Sequence, residues 1–191
     1  MNPLQLILGD EEFLIDRATS SIIRAVRSTM QSNPEELPIT KLRAGDVTPS
    51  EISELLSPSL FAEDRVVILA AAGEAGKEAV STIEQAVKEP APGVVLIVIH
   101  SGGGRAKNLV KILKNAGADV TECPKLTKFS EREDFVVNEF RNLGVRPSRD
   151  TVHALLDAIG GDLRELASAV SQLVADTGGR VDPAAVRRYY A

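Results

Sequence analysis

The chain has 191 residues, 43% hydrophobic and only 4% aromatic, with no Trp. Its core must therefore be aliphatic, the composition of helices laid on a Val/Ile/Leu sheet, and the length allows one sizeable core or two small ones. Twenty-two Lys and Arg against 27 Asp and Glu leave a formal charge of −5, which excludes a general electrostatic pull toward nucleic acid and confines any such contact to a local basic cluster or another subunit. The lone cysteine, Cys123, excludes an internal disulfide and any multi-cysteine metal site, and reads as a small packed apolar residue. No signal-peptide pattern opens the chain and no apolar run is long enough to span a bilayer, so a soluble cytoplasmic protein with no membrane partner is expected.

In chain order, residues 4–8 form a first strand, and Gly9-Asp10 turns into a helix on which Leu14, Ala18, Ile22 and Val26 repeat at helical spacing. Asp10 is the expected N-cap. A nucleotide-binding protein would place a glycine loop here, but one glycine followed by Asp10, Glu11 and Glu12 repels phosphate. Leu37 to Leu42 is a weak strand, placed near a sheet edge by Pro38. Thr48-Pro49-Ser50-Glu51 is a capping box with Pro at the first helical position, and the helix it opens, carrying Ile52, Leu55 and Leu56, must end before Pro58. Val66 to Ala72 then reads as a buried strand. Ser59-Leu60-Phe61 is left on the short link between them. Either Leu60 and Phe61 plug the end of the sheet, or at least one faces water as a partner contact.

Gly73-Glu74-Ala75-Gly76-Lys77-Glu78 departs from a phosphate loop twice. Its first glycine stands three positions before Gly76 instead of five, and Glu78 occupies the place of the magnesium-binding hydroxyl. It reads as a turn opening a helix from Glu74 to Lys88 with Val80, Ile83 and Val87 on one face. Val94 to Ile99, apolar at every position, requires helices above and below the sheet. At its carboxyl end, where open α/β sheets hold ligands, His100-Ser101-Gly102-Gly103-Gly104-Arg105 lacks dinucleotide-fingerprint spacing and reads as a flexible loop. Arg105, Lys107, Lys111 and Lys114 then punctuate a helix packed through Leu109, Val110, Ile112 and Leu113; this face is either solvated or a contact for a charged partner. Val120 to Cys123 is the last strand. Pro124 to Lys128 reads as a domain boundary, beyond which three or four helices follow: one capped by Ser130-Glu131-Arg132-Glu133, one introduced by Pro147-Ser148, one capped by Asp162, and a short last one starting at Asp182-Pro183. His100 and His153 carry no signature of a triad or metal site, so no catalytic residue, cofactor or metal is expected.

Three stretches together resemble one family. The link Ser59-Leu60-Phe61 between a helix and a buried strand, the opening Leu6-Ile7-Leu8-Gly9-Asp10-Glu11-Glu12-Phe13-Leu14-Ile15, and Gly161-Asp162-Leu163-Arg164-Glu165-Leu166 stand in the order and spacing of the delta subunit of the bacterial DNA polymerase III clamp loader. The resemblance implies an AAA+-like parallel α/β domain over residues 1–124 without a functional phosphate loop, and an all-helical lid over residues 125–191. The family's carboxy-terminal collar is expected to be absent. It implies a non-catalytic subunit of a DNA-directed DNA polymerase holoenzyme that binds and opens the sliding clamp for loading onto primed DNA. Its partners would be the clamp, the gamma/tau and delta prime subunits, and primed DNA within the assembled complex. The clamp contact would be Leu60 and Phe61 with Ser59 and Pro58; the family usually has a third apolar residue where the stiff Pro58 stands. The competing readings are an AAA+-like ATPase with an atypical phosphate loop and a generic helical adaptor.

Overall fold

A computed structural model describes residues 1–30, 33–60 and 63–190. They divide into two compact units, residues 1–125 and 126–191. In the first, strands β1 (Leu4–Gly9), β2 (Ile39–Arg43), β3 (Arg65–Ala70), β4 (Val94–His100) and β5 (Asp119–Cys123) form one sheet in the order β2-β3-β4-β1-β5. Every pairing is parallel, with Val67 opposite Leu96 and Leu6 opposite Val98 in the central ladders. A parallel sheet needs a crossover between neighbouring strands, and the chain supplies helices α1 (Glu12–Thr29), α2 (Pro49–Leu56), α3 (Lys77–Lys88) and α4 (Leu109–Asn115).

Successive strand residues point to opposite faces, and here both faces are buried. Leu4, Leu6, Val67, Leu69, Val94, Leu96 and Val98 share one cluster with Ile52, Val80, Ile83, Val87, Leu109 and Leu113 of α2, α3 and α4. Ile7, Val66, Ile68, Val95, Ile97 and Cys123 face the other way, toward Val26, Leu14, Ala18 and Ile22 of α1. At roughly 1.5–3 kcal/mol for each fully buried aliphatic side chain, these two layers supply most of the drive to fold the unit. Burial, with the Glu122 charge beside it, pushes the Cys123 thiol up from its ordinary range, as suits a packed apolar residue. Pro38 lies just before edge strand β2, and its carbonyl accepts the Val66 N–H at 2.9 Å.

Several boundaries differ from the sequence expectation. β3 stops at Ala70, because Ala71 takes a left-handed conformation (φ 50°) and Ala72–Glu74 form a short 3-10 turn; α3 accordingly begins at Lys77, not Glu74. Asp10 does not cap α1. The cap position is Glu11, and the Asp10 and Glu11 N–H groups both donate to the Cys123 carbonyl, at 3.1 and 3.0 Å. The 100–105 segment is a close-packed corner and not a loose loop. Buried His100 accepts the Gly102 N–H at Nδ1 (2.8 Å), so its Nε2 carries the proton and donates to the Ala106 carbonyl at 3.0 Å. Gly73 and Gly104 let this corner press on the 72–74 turn, since a Cβ at Gly73 would lie 2.6 Å from the Gly103 carbonyl oxygen.

The second unit comprises α5 (Phe129–Asn142), α6 (Arg149–Ile159), α7 (Leu163–Thr177) and α8 (Pro183–Tyr190). Phe140, Leu155, Leu166, Val170, Leu173 and Val186 are its fully buried centre. α5 packs on α6 and α7, and α8 on α6. Ser148 accepts the Thr151 N–H, Asp162 the Glu165 N–H and Asp182 the Ala185 N–H, so the caps of α6, α7 and α8 stand where the sequence places them. α5 instead begins at Phe129: Lys128 is the cap residue, and Glu131 accepts its N–H at 2.9 Å.

Gly9 (φ 144°) is required by close approach, because a Cβ there would overlap the Cys123 carbonyl group. Gly9→Ala is expected to lose at least about 2 kcal/mol in urea unfolding. Gly76→Ala, with nothing within 4 Å of its Cβ and an ordinary φ of −71°, should lose less than about 1 kcal/mol. Equal losses would contradict the packing at the end of β5. At α2, the Thr48 N–H and then its hydroxyl hold the Glu51 carboxyl below its ordinary value of 4.5. A carboxyl depressed in the fold stabilises above the unfolded pKa, and that contribution is lost as pH falls through the folded value. Titration of Glu51 by NMR should therefore show a midpoint below 4.5 that moves upward in Thr48→Ala; an unmoved midpoint would contradict the cap.

Candidate interaction site

The link between α2 and β3 is built by its two ends. The capping box at Thr48 starts α2: Glu51 N–H donates to the Thr48 hydroxyl at 3.2 Å and Thr48 N–H to the Glu51 carboxylate at 2.7 Å. Two turns later the helix stops at Leu56, because Ser57 takes an extended conformation (ψ 156°), as a residue before proline must. At the other end the Arg65 N–H donates to the Gly93 carbonyl at 2.9 Å, tying the start of β3 to the start of β4. The Arg65 guanidinium reaches back and donates to the Ser57 carbonyl, so helix end and strand start are stapled to each other. Gly93 (φ 79°) leaves room for the returning chain: a Cβ there would lie 3.1 Å from the Glu63 carbonyl oxygen.

On this stapled link the Leu60 side chain is 98% exposed, which disposes of the sheet-plug reading for Leu60. Pro58 is exposed and Ser59 half-buried beside it. Phe61 and Ala62 lie outside the described residues. Next to Pro58, a shallow groove runs between α2 and α3, lined in part by Leu56, Pro58, Ala86, Pro90 and Ala91. A fully exposed leucine on a tied loop, near a groove of mixed polar and apolar lining, offers no chemistry to a small substrate. It offers an anchor to another macromolecule.

The basic residues are elsewhere. In a parallel sheet a helix-to-strand link lies at the amino edge and a strand-to-helix link at the carboxyl edge. Leu60, before β3, and Arg105, after β4, are therefore separated by a strand length, about 20 Å. Arg105, Lys107, Lys111 and Lys114 are exposed, but only Lys111 and Lys114 stand on α4, which begins at Leu109. Arg105 is engaged: its Nε donates to the Glu74 carbonyl at 2.6 Å, while Arg43 grips the Glu74 carboxylate at 2.8 and 3.0 Å. His153 pairs with Glu133 and stacks edge-on against Phe129 in the helical unit. Arg65 carries the role that sequence reasoning missed, since nothing in local pattern says which carbonyl a strand-initial arginine will reach.

The nucleotide position after β1 is closed by its own backbone. The Asp10 and Glu11 amides, which would have to turn toward phosphate, point to the Cys123 carbonyl, and the Glu11 carboxylate pairs with Lys125 at 3.3 Å. In the Gly73 to Glu78 stretch, Gly76 serves as the N-cap of α3. Among the described residues no helix is long and apolar enough to cross a membrane.

A family model described as DNA polymerase III, delta subunit, matches residues 6–124. No curated protein matches the chain by sequence. Among solved structures, the Bacillus subtilis DNA clamp loader delta protein (YqeN) aligns with a TM-score of 0.78 at 22% identity, over 100% of this chain and 59% of that one. The Thermotoga maritima RuvB Holliday junction branch migration motor aligns with a TM-score of 0.50 at 11% identity, over 97% of this chain and 60% of that one. These are likenesses of fold, an α/β sheet domain followed by helices, and this chain spans about three fifths of each.

The closed loop after β1 predicts that calorimetry with Mg-ATP shows no saturable binding in the low micromolar range, since neither amide cradle nor metal ligand offsets the desolvation of a triphosphate. Saturable low-micromolar binding would contradict the geometry at Cys123.

Proposed function

The chain belongs to the DNA polymerase III delta-subunit family, and from that premise we propose that it is the clamp-binding subunit of a clamp loader, docking on the sliding clamp through the link between α2 and β3. The observation that carries this reading is Leu60, 98% exposed on a loop whose two ends are tied by Arg65. Leu60 enters an apolar pocket on the clamp together with Phe61, while Pro58 and Ser59 form the shoulder. Pro58 limits the backbone freedom lost on docking, which lowers the entropy cost of binding.

Opening follows from differential binding. A ligand shifts an equilibrium only by the difference between its affinities for the two states, so the subunit must bind a ring with a loosened interface more tightly than a closed one. The tied link suits this role, because a slack loop would follow the ring surface in both states. ATP-hydrolysing sister subunits would control access to the link, in a complex that also holds subunits of the gamma/tau and delta prime type. Residues 1–125 act as the AAA+-like domain without nucleotide and residues 126–191 as its lid. Arg105 and Lys107, at the carboxyl edge of the sheet, and Lys111 and Lys114, along α4, are proposed as a contact for primed DNA in the assembled complex.

Truncating an anchor in a desolvated pocket costs about 2 kcal/mol or more, a factor of roughly 30 in affinity. Leu60→Ala and Phe61→Ala are each expected to weaken clamp binding by about that factor. For Leu60→Ala, whose side chain touches water, the melting temperature should hold to within the equivalent of about 0.5 kcal/mol. A large fall in melting temperature with unchanged affinity would contradict the proposal.

A further inference from the structure

The surroundings of Leu60 carry a charge pattern that the fold does not need. The parallel topology brings the carboxy-terminal ends of α2 and α3 to the amino edge of the sheet, beside the link. Both ends carry the negative pole of a helix dipole, where cations stabilise and carboxylates destabilise. Yet Glu54 stands in the last turn of α2, which has no basic residue, and Glu89 is the C-cap of α3. Glu63 and Asp64 follow on the link itself, with the Asp64 carboxylate beside Gly93. None of these four carboxylates forms an ion pair or side-chain hydrogen bond among the described residues. Arg65 is turned inward, its Nε shielded from water and its outer nitrogen on the Ser57 carbonyl, while exposed Lys88 stands in the last turn of α3 as a countercharge.

We propose that Leu60 is the apolar centre of an acidic docking surface formed by Glu54, Glu63, Asp64 and Glu89, and that the partner it fits is a protein presenting an apolar pocket rimmed by lysine and arginine. The inference rests on the reading of the link as the clamp contact and adds the chemistry of the clamp surface around the pocket. Rim charges act mainly on the rate of encounter and its salt dependence, whereas the central anchor acts on dissociation. The carboxylates therefore guide the link to its pocket, and Leu60 holds it there.

The test measures association and dissociation rates with the clamp between about 50 and 500 mM salt. It compares the full chain, the Glu54→Gln/Glu63→Gln/Asp64→Asn/Glu89→Gln variant, and Leu60→Ala. The expected result is that the four-fold variant associates about 5–10 times more slowly at low salt, loses most of its salt dependence and dissociates at the wild-type rate. Leu60→Ala should associate normally and dissociate faster. The melting temperature of the four-fold variant should equal or exceed the wild-type value, because charges at the wrong helix pole have been removed. A four-fold variant that associates like the wild type at every salt concentration overturns the acidic rim alone, and so does one that melts clearly lower. A wild-type chain that does not bind the clamp overturns the clamp reading and the rim with it.

Discussion

The parallel pairing of β3 with β4 and of β4 with β1 is the constraint on which the rest of the structure depends. Strands such as Val66 to Leu69 and Val94 to Val98 are apolar at every position, so neither face can meet water, and helices must cover both. Covering both faces of a parallel sheet sorts the connections. Each strand-to-helix corner goes to the carboxyl edge and each helix-to-strand link to the amino edge. The two kinds of connection are thereby set about 20 Å apart before any functional residue is chosen.

At the two edges the same chemistry is used to opposite ends. On the carboxyl edge, backbone groups are turned on one another: Asp10 and Glu11 amides to the Cys123 carbonyl, His100 between Gly102 and Ala106, Gly73 against Gly103 and Gly104. The amides after β1 and the corner after β4 thus bond to the protein's own polar groups. On the amino edge, one arginine closes the link and leaves the leucine outside. An exposed leucine destabilises nothing when its loop is already tied at both ends, so the fold tolerates a sticky residue there.

Much of this was legible in the sequence because it is local. The capping box at Thr48, the proline stop at Pro58, the caps at Ser148, Asp162 and Asp182, and the apolar strands each declare themselves within a few residues. What sequence misplaced was decided by distant partners. The turn that makes Glu11 rather than Asp10 the cap residue is held by bonds from both amides to the Cys123 carbonyl, more than a hundred residues away. The glycines after His100 looked like a loose loop because nothing nearby announces the turn at Ala72–Glu74 that they pack against. The cap of α5 moved to Lys128 although Ser130 is the better capping residue type, since Glu131 could serve the Lys128 amide. At the site, Leu60 was foreseen as an alternative between plug and contact. Exposure excludes the plug for Leu60, and exposure is not a local property.

The central claim is that the amino edge of the sheet, not the carboxyl edge, meets the sliding clamp. Amide hydrogen exchange of the chain with and without the sliding clamp tests it most directly, because protection maps the covered backbone without altering any residue. The account predicts added protection confined to residues 54–65 and the adjoining end of α3 around Glu89 to Gly93. Protection at Gly9–Glu11 and His100–Asn108, with the Leu60 link unchanged, would contradict it.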